Sequence, residues 1–96
     1  MTTNELLAKL QSLKDELKQQ FGIEEIALFG SYARGEADED SDVDIVILKA
    51  KERKLVNRLN AIKMIENKLG KKVDMGYFDS MKTFIQNRIQ KDFLYV

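Results

Sequence analysis

Phe29-Gly30-Ser31-Tyr32-Ala33-Arg34-Gly35, then an acidic loop at 36–40, then Ser41-Asp42-Val43-Asp44-Ile45, is the stretch on which the reading of this chain turns. A short apolar run leads into a Gly-Ser turn, and two carboxylates open the next apolar run. Gly30 lets the backbone approach a phosphate closely, and Ser31 adds an amide and a hydroxyl. Asp42 and Asp44 are hard oxygen ligands of the kind divalent cations take. Together these features suit a small enzyme that handles a metal-bound nucleotide. Arg34 has two readings: a planar guanidinium reaching the same phosphates, or a surface salt bridge with Glu36 or Asp38. Tyr32 reads as packing.

The bulk of the sequence narrows the chemistry further. Ninety-six residues suit a single domain spanning 1–96. Sixteen basic residues balance sixteen acidic ones, so no general charge draws the chain to nucleic acid or to an anionic membrane. No direct nucleic-acid binding is expected, and the basic run at 49–54 reads as a solvated connection. Cysteine and histidine are both absent. That removes disulfides, thiol catalysis and the commonest general base, and favours magnesium-type chemistry on oxygen ligands over zinc chemistry. No apolar run approaches ~18 residues and no signal pattern opens the chain, which predicts a cytoplasmic protein without a membrane span.

Outward from the motif, the patterning predicts an α/β (α+β) fold in the order α-β-α-β-α-β-α, with a three-stranded mixed sheet and about four helices. Thr2 and Glu5 have capping-box spacing, and Leu6, Leu10, Leu13, Leu17 and Phe21 form one apolar stripe that stops at Gly22. Residues 23–29 read as the first strand, and 36–40 as a loop with nothing to enter a core. Residues 43–48 read as a second, central strand buried on both faces. Leu55, Leu59, Ile62, Ile65 or Glu66, and Leu69 trace a helix ending at Gly70. Residues 71–78 read as the third strand. Ser80 then caps a last helix with Met81, Phe84, Ile85, Ile89 and Phe93 on its apolar side. The apolar end, Phe93-Leu94-Tyr95-Val96, is expected either tucked against the sheet or in contact with another chain.

Strand geometry then predicts where the acids go. Residues i and i+2 share a face roughly 6–7 Å apart, so Asp42 and Asp44 point the same way. Such a pair can grip two ions about 3.5–4 Å apart. The Gly-Ser turn follows the first strand while the two aspartates open the second, so those strands should run antiparallel. The helix between the second and third strands suits a right-handed parallel crossover, which would bring Asp74 beside Asp42 and Asp44. Two other motifs fail: the Walker-A glycine spacing is followed by Glu36-Ala37 rather than Lys-Ser/Thr, and an EF-hand loop would need glycine where Val43 stands.

Phe29-Gly30-Ser31, a ten-residue spacer, Asp42-Val43-Asp44-Ile45 and later Val73-Asp74-Met75 resemble the DNA polymerase β-like nucleotidyltransferase superfamily. The length and the Gly-Ser-Tyr-Ala-Arg-Gly segment resemble its minimal nucleotidyltransferase branch, the MntA-type antitoxins of HepT–MntA toxin–antitoxin systems. The resemblance implies magnesium-dependent transfer of AMP from ATP to a hydroxyl, a tyrosine of a partner HepT/HEPN-type toxin. It implies that Gly30 and Ser31 hold the nucleotide phosphates, that Asp42 and Asp44 ligate two Mg2+ ions, and that Asp74 ligates the catalytic one beside the attacking hydroxyl. Asp74 is then the candidate base. Two alternatives stand beside this: an antitoxin that only binds its toxin, and a nucleotidyltransferase acting on a small-molecule hydroxyl.

Overall fold

A computed structural model describes the whole chain, residues 1–96. Its first helix, α1 (Thr3–Ser12), is capped as the sequence predicts, the Glu5 amide donating to the Thr2 hydroxyl at 3.1 Å. The single long helix expected up to Phe21 is instead two segments, α1 and α2 (Lys14–Phe21). The Ser12 hydroxyl donates to the Lys9 carbonyl at 2.6 Å and the Leu13 amide turns to the Leu10 carbonyl, which tightens the last turn and breaks the regular ladder. The apolar stripe survives the break: Leu6, Leu10, Leu13 and Leu17 are all buried. Gly22 ends α2 in the left-handed conformation.

Three of the strands and the helix joining two of them follow the expected order: β1 (Ile23–Phe29), β2 (Val43–Ala50), α4 (Leu55–Leu69) and β3 (Val73–Tyr77). A short helix, α3 (Gly30–Ala33), sits between β1 and β2. β1 and β2 pair antiparallel, with Phe29 opposite Asp44. β2 and β3 pair parallel, with Asp44 opposite Asp74. A fourth strand, β4 (Leu94–Tyr95), corrects the expected count of three. It pairs antiparallel with β1, and the Val96 amide bonds the Ile26 carbonyl at 3.2 Å, so the apolar end is tucked against the sheet. The strand order is β3-β2-β1-β4, which leaves β2 central.

Alternation divides the sheet into two unlike faces. Ile26, Leu28, Ile45, Ile47, Val73 and Met75 share the face that packs on α1, α2 and α4, forming one core of sixteen buried residues. Ala27, Val46, Asp44 and Asp74 belong to the other face. Met81 packs over Gly76 there, and Phe93 meets the rings of Phe29, Phe78 and Tyr95.

Some predicted positions shift. The last helix, α5 (Thr83–Gln90), starts after Ser80 rather than at it. Residues Phe78–Ser80 form a 3-10 turn whose Asp79 and Ser80 side chains engage Arg53, so Ser80 is not free to cap. Phe84 is 65% exposed, and on α4 Leu55 and Leu59 are exposed while Ala61, Ile65 and Leu69 make the buried stripe. Ala37 packs at the core margin despite its acidic neighbours.

Leu28→Ala should cost about 2–5 kcal/mol, since it empties a fully buried side chain from the central core. Phe84→Ala should change stability by less than about 0.5 kcal/mol. Urea denaturation of the two variants against the parent checks both.

Candidate active site

The site is assembled where three elements end or begin together. β1 runs out at Phe29, and Gly30 turns the chain with φ +77° into α3. Antiparallel pairing places the first residues of β2 directly beside that turn. A Cβ at Gly30 would stand 3.2 Å from Asp44 Cγ and 3.3 Å from Asp44 Cβ, and closer still to Oδ2. Gly30 is therefore required twice: for its left-handed backbone and for the room its missing side chain leaves to the Asp44 carboxylate. Thr3 of α1 anchors the far end of this turn, its hydroxyl donating to the Tyr32 carbonyl at 2.5 Å. Tyr32 itself is buried, as packing.

Asp44 and Asp74 lie side by side in the parallel ladder and share a face. Asp42 stands one residue before β2 and is exposed, as is Asp74. The start of β3 is fixed by the Glu66 carboxylate, which accepts from the Val73 amide at 3.0 Å, and the Val43 amide bonds the Lys72 carbonyl at 2.9 Å. The sheet thus brings the three predicted acids to one end. They do not close into a cluster of three that could hold a metal ion as they stand.

Their electrostatics carry the same message. The Asp44 carboxyl is raised above its ordinary range, first by burial, then by the charges of Asp74 and Asp42, with Arg34 opposing. All three donors are hard carboxylate oxygens and no lysine pairs with any of them. That donor set fits a magnesium-type cation, which would relieve the repulsion that raises Asp44.

Beside Asp44 opens a cleft of about 450 Å³, lined by Phe29, Gly30, Ser31, Arg34 and Asp44 and, from the last part of the chain, by Arg88, Ile89 and Asp92. Arg34 lines it, but its guanidinium is already shared, with Asp92 Oδ2 at 2.8 Å and Glu36 Oε2 at 3.1 Å. Those bonds, that to Asp92 foremost, raise the Arg34 pKa. The surface ion pair foreseen with Glu36 or Asp38 thus forms with Glu36 and Asp92. Sequence reasoning missed Arg88 and Asp92, because apolar periodicity says which side of α5 is buried and not which strand ends it overhangs. A separate hollow of about 400 Å³, between the end of α2 and the start of α4, includes Lys18, Glu24, Lys51 and Asn57 and shares no residue with the cleft.

Gly30→Ala should destabilise more than Gly35→Ala, although both glycines have similar positive φ, because only Gly30 has Asp44 against it. Thermal melts should place Gly35→Ala about 1–2 kcal/mol below the parent, the usual left-handed penalty, and Gly30→Ala lower still. Adding Asp44→Ala to Gly30→Ala should recover the difference. Asp44 also carries a pH signature. Its folded pKa lies above the unfolded one, so the folded state holds the proton longer, and metal-free stability should fall as pH rises from about 4 through the folded value. Denaturation across that window should show the decline in the parent and a flatter profile in Asp44→Asn.

Residues 10–96 match the family described as nucleotidyltransferase domain. The protein adenylyltransferase MntA of Thermococcus cleftensis is 38% identical over 96 residues, covering 100% of this chain and 97% of its own. A solved structure described as a candidate minimal nucleotidyltransferase superposes with a TM-score of 0.80 at 26% identity, covering 98% of this chain and 95% of that one. A crystal structure of a toxin–antitoxin with AMP-PNP gives 0.63 at 25% identity, covering 88% of this chain and 64% of that one. With a match over nearly its whole length, and with Gly30-Ser31, Asp42-Val43-Asp44 and Asp74 gathered at one end of its sheet, the chain belongs to the nucleotidyltransferase domain family.

Proposed function

We propose that this nucleotidyltransferase moves AMP from ATP onto a hydroxyl, a tyrosine, of a partner toxin of the HepT/HEPN type, and so acts as the antitoxin. The observation that carries the reading is the register of Asp44 with Asp74, beside a glycine that leaves room for the Asp44 carboxylate. The full-length likeness to a protein adenylyltransferase supports a protein as the acceptor, and the relative solved as a toxin–antitoxin with AMP-PNP supports an adenine nucleotide and a toxin partner.

In this reading the Gly30 and Ser31 amides and the Ser31 hydroxyl hold the phosphates in the cleft. Asp42, Asp44 and Asp74 would hold the two Mg2+ ions. When bound, the ions polarise the α-phosphate, lower the acceptor hydroxyl pKa and offset charge on the leaving group. The acceptor oxygen attacks the α-phosphorus while the bond to the oxygen bridging the β-phosphate breaks, and pyrophosphate departs with that electron pair. The hydroxyl proton passes to an Asp74 oxygen, which is exposed and open to an acceptor arriving from outside. Arg34 reaches the phosphates only by releasing Asp92 or Glu36. No helix is long and apolar enough to cross a membrane.

Incubation with Mg-ATP and a HepT-type toxin should add one or more AMP units to the toxin, read by intact mass. Asp44→Asn and Asp42→Asn should lower the transfer rate at least about a hundredfold, the scale of losing a main electrostatic element of a site. A toxin that gains no mass, or an Asp44→Asn protein that transfers as the parent does, overturns the reading. Neutralisation by Asp44→Asn without any transfer would favour the binding-only antitoxin.

A further inference from the structure

The cleft holds a cation that the reaction described so far does not use. Arg88 projects from α5 into the same space as Gly30, Ser31 and Asp44. It forms no ion pair, whereas Arg34, the other arginine of the cleft, is shared between two carboxylates. Around this end of the sheet stand five carboxylates, Asp42, Asp44, Asp74, Glu36 and Asp92. Of these, Asp44 and Asp92 line the cleft itself, and a chain of phosphates entering there meets one guanidinium, that of Arg88, with no carboxylate partner.

The position of Arg88 is set by its neighbours rather than by any bond of its own. Ile89 is buried, and the Gln86 side-chain amide donates to the Phe78 carbonyl at 2.8 Å, which ties α5 to the turn that follows β3. Arg88 is itself exposed, so the fold does not depend on its charge. Asp92, one turn on, would be its natural partner, but Arg34 holds that carboxylate at 2.8 Å. Arg88 is thereby left free to bind.

We infer that Arg88 holds the β- and γ-phosphates of the nucleotide, and the pyrophosphate after transfer, in the cleft that it lines together with Ser31. The inference rests on the nucleotide reading above and adds to it the residue that grips the leaving group. A planar guanidinium takes two phosphate oxygens at once, and its charge counts for more as the bridging oxygen becomes negative.

Calorimetric titration in magnesium buffer with three probes tests this: non-hydrolysable ATP analogue, inorganic pyrophosphate and AMP. Arg88→Ala should weaken the analogue and pyrophosphate each by about tenfold or more, the scale of a lost charge-assisted hydrogen bond, and AMP by no more than about twofold. Arg88→Lys, which keeps the charge without the fork, should fall between. Unliganded melting temperatures should match, because Arg88 is exposed and unpaired. An Arg88→Ala protein that binds pyrophosphate and the analogue like the parent overturns the inference while leaving the nucleotide site standing. Equal weakening for AMP overturns it as well. A parent protein that binds none of the three removes the nucleotide reading and this inference together.

Discussion

Asp44 belongs to two ladders at once, antiparallel to β1 through Phe29 and parallel to β3 through Asp74. Because side chains alternate on a strand, a one-residue slip in either ladder would send its carboxylate to the helix-packed face. The register is pinned from that other face, where Ile45, Ile47, Leu28, Val73 and Met75 all require burial. The polar end of the sheet is thus positioned by the apolar face behind it. Gly30 completes the constraint by being the residue that can turn the chain there without meeting the Asp44 carboxylate.

This division of labour explains why a small domain can present three carboxylates at one edge. The core is built from apolar side chains on the first four helices and on β1, β2 and β3, and none of its buried residues is charged. The opposite face is covered by the aromatic group of Phe29, Phe78, Phe93 and Tyr95 and by α5, which leaves the strand starts open to a ligand. Arg34 and Asp92 bridge the turn after β1 to the segment after α5, so the cleft has walls from distant parts of the chain held by one ion pair.

The sequence was most informative where local chemistry and long-range pairing agree. Gly30, Asp42, Asp44 and Asp74 could be placed at one sheet end because period-two alternation and one helical crossover allow few arrangements. The leucine stripe of the first helices was legible for the same reason, though its break was not. The Ser12 hydroxyl competes with the backbone there, and serine at that position does not announce which bond it will choose. β4 is two residues long and pairs only through tertiary contact, so no pattern marks it. Phe84 and Leu59 look like core by spacing, yet lie outside it because helix rotation is settled by what α4 and α5 pack against. Arg88 and Asp92 are invisible for a related reason: a charged residue on a helix gives no sign of the cleft it overhangs.

The burial of Asp44 beside the like charges of Asp74 and Asp42 sets the direction in which this protein would decay. An amide at position 44 removes a charge that burial and two like neighbours already disfavour, so the change that silences chemistry is also one the metal-free fold welcomes. A lineage released from the need to transfer nucleotide would therefore slide toward inert, sturdier descendants without crossing a stability barrier. Keeping three acids at one strand end is continual work against that slope.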